Sequence, residues 1–403
     1  MARWLYILLL AAPAALLAEA QHTSPLVIFL LAALGLVPLA GLIGQSTEVL
    51  AERVGQSLGG LLNATFGNAA EIIIGLSALA AGLPEVVRAS LAGSIIGNSL
   101  LVLGMSMFVG GWRYRRQRFN ARVAGQYAAM LGLVVIGMAV PSLLATIGEG
   151  TRPGAEVIHG NQLHQLSIGI AIILLLCYAA YIAYSVFGLR AHPEDRASSA
   201  HVETEEREPA TRARDKDGLK NPPPAKKAEA HRAQQRSNGG PLERLAGLWQ
   251  GTIWLPIVVL AAATVVTVVV SEALVGTIEP LTKQVGLNPF FVGLIILPLV
   301  GNAAEHFSAI TSARRNHMEI AMAITAGSSI QIALLAAPVL VLAGVVIGVP
   351  LDLNFTLLEV AMFGLVTGLY ALISLDGEST WLEGLLLCAF YLILAVGTFF
   401  TPV

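Results

Sequence analysis

Eleven long apolar runs constrain this chain more than any other feature of it. They fall at about 4–19, 25–43, 61–82, 87–110, 122–143 and 165–187, then at about 252–276, 287–312, 320–344, 354–374 and 380–400. A helix of about 20 apolar residues crosses a hydrocarbon core of about 30 Å. Inside that core only helices or closed barrels satisfy every backbone polar group, and runs of this length are helical. The composition agrees: 55% of the 403 residues are hydrophobic and 12% are charged, against about 25% charged in a soluble domain. The expected fold class is therefore an all-α polytopic membrane protein embedded in a lipid bilayer, with about eleven transmembrane helices.

The net charge of −2 gives no electrostatic footprint for a nucleic-acid partner. Cys177 and Cys388 both lie within apolar runs and read as packing residues rather than a disulfide or zinc site. The motifs carry no signal for oligomeric state.

The runs divide the chain into an N-terminal transmembrane helix (1–24), a first five-helix unit (25–187), a polar linker (188–250) and a second five-helix unit (251–403). The first run reads as a retained helix, although Arg3 and Ala18-Glu19-Ala20 would also suit a cleaved signal peptide. The linker holds Pro222-Pro223-Pro224, an acidic cluster from Glu203 to Glu208 and 12 of the 24 Lys and Arg residues. That composition reads as a solvated connection. Arg113, Arg115, Arg116, Arg118 and Arg122 follow the fourth run, and Arg314 and Arg315 follow the eighth. With eleven spans these clusters and the linker fall on one side. The positive-inside rule makes that side cytoplasmic, together with the N-terminus.

An internal repeat relates the two units. Gly67-Asn68-Ala69-Ala70-Glu71 recurs as Gly301-Asn302-Ala303-Ala304-Glu305, and Gly93-Ser94 recurs at the same offset along the chain as Gly327-Ser328. A unit with an odd number of spans inverts its successor, giving two inverted five-helix repeats plus an extra N-terminal helix. Transporters built this way bind their substrate near the midplane, at the repeat interface.

Glu71 and Glu305 are carboxylates in apolar helices, where an ionised side chain is costly and functional by default. Facing each other, they must share a cation or bind at least one proton. That competition is the physical basis of exchange. Asn68 and Asn302 lie three residues earlier on the same helical faces. Their amide oxygens suit a hard cation such as Ca²⁺, which takes about 6–8 oxygen ligands, and they would also serve as interhelical hydrogen-bonding groups. Ser94, Asn98, Ser328, Ser329 and Gln331 are polar in apolar surroundings and line the site or tune the glutamates. Gly93 and Gly327 allow close backbone approach. His306 points about 100° away from Glu305 and carries a proton, orients a partner or is structural. Glu48 and Glu272, on the second and seventh helices, form an access route or mark helix ends. Glu85 and Glu319 fall near span ends, where a solvated role is expected.

Phe66-Gly67-Asn68-Ala69-Ala70-Glu71 with Gly93-Ser94-Ile95-Ile96-Gly97-Asn98 resembles the first signature repeat of the Ca²⁺/H⁺ antiporter family. Gly301 to His306 with Gly327-Ser328-Ser329-Ile330-Gln331 resembles the second, and the stretch from Thr47-Glu48 through Gly59 to Thr65 fits as well. The resemblance implies the eleven-helix fold of the cation/Ca²⁺ exchanger superfamily, Ca²⁺ held by Glu71 and Glu305, and gating by the second and seventh helices. It implies Ca²⁺ and H⁺ as substrates, no cofactor and no enzymatic activity. A Na⁺/Ca²⁺ exchanger of the same superfamily is the alternative; Gln331 and His306 match the proton-coupled branch. Two buried glutamates fit a channel poorly, and no His-Glu-x-x-His or comparable zinc motif appears. The expected location is a prokaryotic plasma membrane, or a vacuolar-type membrane in a eukaryote.

Overall fold

The computed structural model describes residues 5–54, 56–151, 160–186, 253–286 and 288–400; the 188–250 linker lies outside them. The architecture is all-α. Its main helices are α1 (Ala11–Ala20), α2 (Pro25–Val54), α3 (Gln56–Phe66), α4 (Ala69–Ala80), α5 (Pro84–Tyr114), α6 (Ala121–Thr151) and α7 (Asn161–Val186). The second half supplies α8 (Trp254–Gly276), α9 (Pro289–Gly301), α10 (Ala303–Arg314), α11 (Met318–Ile347), α12 (Leu357–Ile373) and α13 (Trp381–Phe399).

Each of the eleven apolar runs overlaps at least one helix. Among the described residues seven helices are long and apolar enough to cross a membrane, and the bent pair α9–α10 makes an eighth. The apolar helices α1, α4 and α12 are shorter. The lipid-facing character of the helices is visible in exposed side chains such as Leu133 of α6, Leu176 of α7, Val346 of α11, Leu372 of α12 and Ile393 of α13, which water would penalise.

The sequence repeat is reproduced in the helix boundaries. Ala69–Ala80 maps onto Ala303–Arg314, and Pro84–Gly97 onto Met318–Gln331. Both α5 and α11 then pass through a π-helical turn, at Asn98–Val102 and Ile332–Ala336, which are again equivalent positions of the repeat. Such turns interrupt regular α-helices mostly at functional positions.

Contacts at the helix ends establish the inversion. Gln117, after α5, donates to the Ala313 carbonyl (2.7 Å) and Asn316 Oδ1 (3.1 Å). The end of α5 therefore lies beside the start of α11, its repeat counterpart, and the two run in opposite directions. At this end Arg116–Arg118 pairs antiparallel with Glu378–Thr380, and Arg116 and Arg118 both reach Glu378. At the opposite end, the loop after α11 is held by α6 and α7. Ser142 and Ser167 bond the backbone of Leu353 and Phe355, and His164 Nδ1 lies 2.8 Å from Asp352. Each repeat thus stitches its neighbour at one end and is stitched at the other.

The first run is packed rather than pendant. Ala12 and Ala15 are buried, and a Cβ at Gly35 would stand 2.7 Å from the Ala12 nitrogen, so α1 and α2 approach backbone to backbone. Cys177 and Cys388 are both free.

Candidate cation site

Two broken helices bring the signature residues together. The α3–α4 segment breaks at Gly67-Asn68, with Asn68 at φ −102°, ψ 21°. The α9–α10 pair bends by 62° at Asn302 (φ −90°, ψ 8°). Glu71 and Glu305 each fall in the first turn of the helix that follows. There the positive end of the helix dipole favours a negative side chain. Discontinuous helices meeting at the centre of an inverted repeat are the usual architecture of transporter sites.

The two motifs touch across the repeat interface. A Cβ at Gly301 would sit 3.3 Å from Glu71 Cγ, so the stem of Glu71 rests on the backbone of the opposite motif. Glu71 thus faces the motif that carries Glu305, which stands in the turn following Gly301.

The buried amides have divided duties. Asn68 Nδ2 donates to Gln331 Oε1 across the interface. Asn302 Nδ2 donates to Ser94 Oγ (3.1 Å) and to the Pro298 carbonyl (3.1 Å), while Ser328 Oγ lies 3.5 Å from Asn302 Oδ1. Asn98 Nδ2 donates to Ser328 Oγ at 3.0 Å. Asn68 and Asn302 therefore both act as interhelical links through nitrogen. Of the oxygens of Asn68, Glu71, Asn302 and Glu305, three are buried without a partner among the described residues: Asn68 Oδ1, Glu71 Oε2 and Glu305 Oε2. All three are acceptors in the ionised site, and a buried acceptor without a donor costs about 1–3 kcal/mol or more. A hard cation or protons supply what is missing. Among the described residues no group of three or more His, Cys, Asp and Glu gathers as a metal cluster; the candidate donors here are carboxylate and amide oxygens.

The remaining expectations separate. Ser329 bonds the Thr325 carbonyl of its own helix (3.0 Å). Among the described residues His306 makes no hydrogen bond to either glutamate. Glu48 and Glu272 are exposed, whereas the neighbouring Ser46 and Ser271 are buried with unpartnered hydroxyls, and Gln45 Oε1 and Thr267 Oγ1 are likewise without partners. Sequence reading passed over Gln45, Ser46 and Thr267; their one signal is a polar residue on the buried face of an apolar helix. Glu85 and Glu319 are exposed near helix starts.

The two Gly-Ser segments differ in packing. A Cβ at Gly93 would fall 1.9 Å from the Leu294 carbonyl oxygen, and one at Gly293 would fall 2.8 Å from Val86 O. Helices α5 and α9 are thus pressed together along one side of the site. A Cβ at Gly327 would meet nothing within 4 Å, and among the described residues α3 has no comparable packing against α11. Packing beside the two Gly-Ser segments is therefore asymmetric, tight at Gly93 and loose at Gly327.

Gly301→Ala is a sharp test of the cross-motif contact. The added methyl would stand 3.3 Å from Glu71 Cγ, so that side chain must shift by a few tenths of an ångström. The expected outcome is about tenfold weaker cation binding, equivalent to about 1.4 kcal/mol, with the fold intact by circular dichroism.

An inverted pair of broken helices meeting at two carboxylates has the architecture of a secondary transporter. The chain belongs to the family described as sodium/calcium exchanger protein, whose pattern matches residues 24–187 and 255–400. It is 38% identical over 403 residues to a Ca(2+)/H(+) antiporter of Aphanothece halophytica, covering 98% of this chain and 96% of that protein. It is 37% identical over 398 residues to the Ca(2+)/H(+) antiporter ChaA of Bacillus subtilis (strain 168), covering 98% and 99%. The solved structure of native YfkE matches with a TM-score of 0.75 at 33% identity, covering 99% of this chain and all of that one.

Proposed function

We propose that this integral membrane protein exchanges Ca²⁺ for H⁺ by alternating access, with one central site serving both ions. The reading rests on one observation above all: Asn68 Oδ1, Glu71 Oε2 and Glu305 Oε2 are buried acceptors without donors among the described residues. Ca²⁺ satisfies them as a ligand-hungry hard cation; protons satisfy the two carboxyls when Ca²⁺ leaves. Neither ion binds well while the other is present, so each crossing carries one kind of cargo. The names of the relatives agree with this reading.

In this scheme Glu71 and Glu305 hold Ca²⁺ or protons, Asn68 supplies a neutral oxygen, and Asn302 sits beside it in the same network. Ser94, Asn98, Ser328 and Gln331 position these groups. The scheme needs no cofactor and no chemical transformation of substrate. Eleven helices cross the bilayer, and α2 and α8, which carry the exposed Glu48 and Glu272, slide as gates. The arginine-rich ends of α5 and α10 face the cytoplasm of a prokaryotic cell, together with the N-terminus and linker. The loosely packed Gly327 side then lies toward the cytoplasm, the side from which Ca²⁺ would enter.

Proton release on Ca²⁺ binding separates the proton-coupled reading from sodium coupling. In weakly buffered detergent solution, adding Ca²⁺ should liberate up to about two protons per ion bound, because ligands must deprotonate. The Ca²⁺ affinity should fall as pH is lowered. Ca²⁺ binding with no proton release, weakened instead by Na⁺, would replace H⁺ by Na⁺ as the coupling ion.

A further inference from the structure

A second charged feature lies away from the ion site, at the end of the molecule where α5 and α10 finish. Arg113 and Tyr114 from α5, with Thr311, Arg314 and Arg315 at the end of α10, line a concavity of about 510 Å³. The three guanidiniums form no ion pair among the described residues. Nearby Arg116 and Arg118 do, sharing Glu378. The fold therefore supplies a carboxylate to two arginines of this end and leaves three others converging on one hollow. Like charges so placed repel, and the repulsion is relieved by an anion. The Thr311 and Tyr114 hydroxyls add neutral donors, and the Arg113 guanidinium lies 5.6 Å from the Tyr114 ring centroid.

We propose that this hollow binds a phosphate oxyanion, gripped by Arg113, Arg314 and Arg315. Arginine forks match phosphate oxygens in pairs. The surroundings favour a lipid headgroup as its source. Trp112, 73% exposed, precedes Arg113 in the chain and meets Trp381 edge to face at 6.1 Å. Exposed tryptophans mark the level of the headgroups, and clustered basic residues there attract anionic lipid. The occupant would bridge α5 and α10, one helix from each repeat.

The test uses the full chain in uncharged detergent and measures binding of fluorescent phosphatidylglycerol, with unlabelled phosphatidylcholine and inorganic phosphate as competitors. The native chain should bind phosphatidylglycerol and ignore phosphatidylcholine. R113Q combined with R314Q should weaken binding by at least about tenfold, the worth of one charge-assisted contact. R113K combined with R314K should recover part of the loss, which also controls for folding. R122Q, an exposed arginine of the same end outside the hollow, should bind as the native chain does. Competition by inorganic phosphate would assign the site to a soluble phosphate, and its failure to compete would assign it to lipid; both keep the site. Native-like binding by the glutamine double variant, or an equal loss in R122Q, would overturn the proposal in favour of diffuse attraction to a basic surface.

Discussion

Glu71→Gln is expected to abolish Ca²⁺ exchange while leaving a folded protein. The amide keeps the size of the carboxyl and its contact with Gly301, but it removes one of the two full charges that face a divalent ion. Truncating one partner of a buried charged contact costs about 2–5 kcal/mol; the middle of that range lowers Ca²⁺ affinity by about 100-fold or more. The proton half of the cycle is lost too, because an amide does not titrate. The sign of the stability effect is distinctive. Without Ca²⁺, the native chain must protonate or separate two like charges, and Gln relieves that repulsion. Thermal stability in chelator should therefore be unchanged or raised, while the stabilisation that Ca²⁺ confers on the native chain disappears. Glu305→Gln should behave alike, since the two carboxyls occupy equivalent places in the repeat. Exchange at the native rate by Glu71→Gln would show that the carboxylate pair is the wrong site.

Gly93→Ala is expected to have the largest structural effect of any single methyl added around the site. Its Cβ would lie 1.9 Å from the Leu294 oxygen and 2.6 Å from the Leu294 carbon. Both are backbone atoms, so α5 and α9 must move apart. Overpacking of this kind costs about 1–3 kcal/mol and sometimes more. Gly327→Ala, at the repeat-equivalent position, should change stability by less than about 0.5 kcal/mol, because nothing lies within 4 Å. Its effect should appear in turnover. If the cycle inverts the asymmetry, the opposite conformation presses Gly327 against α3 as this one presses Gly93 against α9. Gly327→Ala should then fold normally and exchange slowly. Equal losses of stability at both positions, read by thermal unfolding, would remove the asymmetry on which this expectation rests.

The contrast between these glycines also marks the boundary of what the amino-acid sequence reveals. The constant offset between the two motif copies made the repeat legible before any coordinates, and the odd number of spans made its inversion legible. The two carboxylates and two amides were legible because polar groups in apolar helices are costly and therefore few. Gly93 and Gly327 are interchangeable in sequence, yet one is clamped and the other free. The symmetry is a property of the chain, and its breaking is a property of one conformation. Hydrogen-bond partners were hidden for a related reason. Asn302 pairs with Ser94, but Asn68 does not pair with the equivalent Ser328. It turns to Gln331, whose counterpart Gly97 has no side chain to offer. Ser46 and Thr267 were overlooked because a lone hydroxyl in an apolar helix usually bonds its own backbone, as Thr47 does. Only the packed structure leaves their oxygens unpartnered.

Uptake of Ca²⁺ into proteoliposomes containing the purified full chain, driven either by a pH gradient or by a Na⁺ gradient, tests the central claim most directly. Uptake should follow the pH gradient, stop when the gradient is collapsed, ignore Na⁺ and vanish in Glu71→Gln. Uptake driven by the Na⁺ gradient alone would preserve the fold and the site but contradict proton coupling.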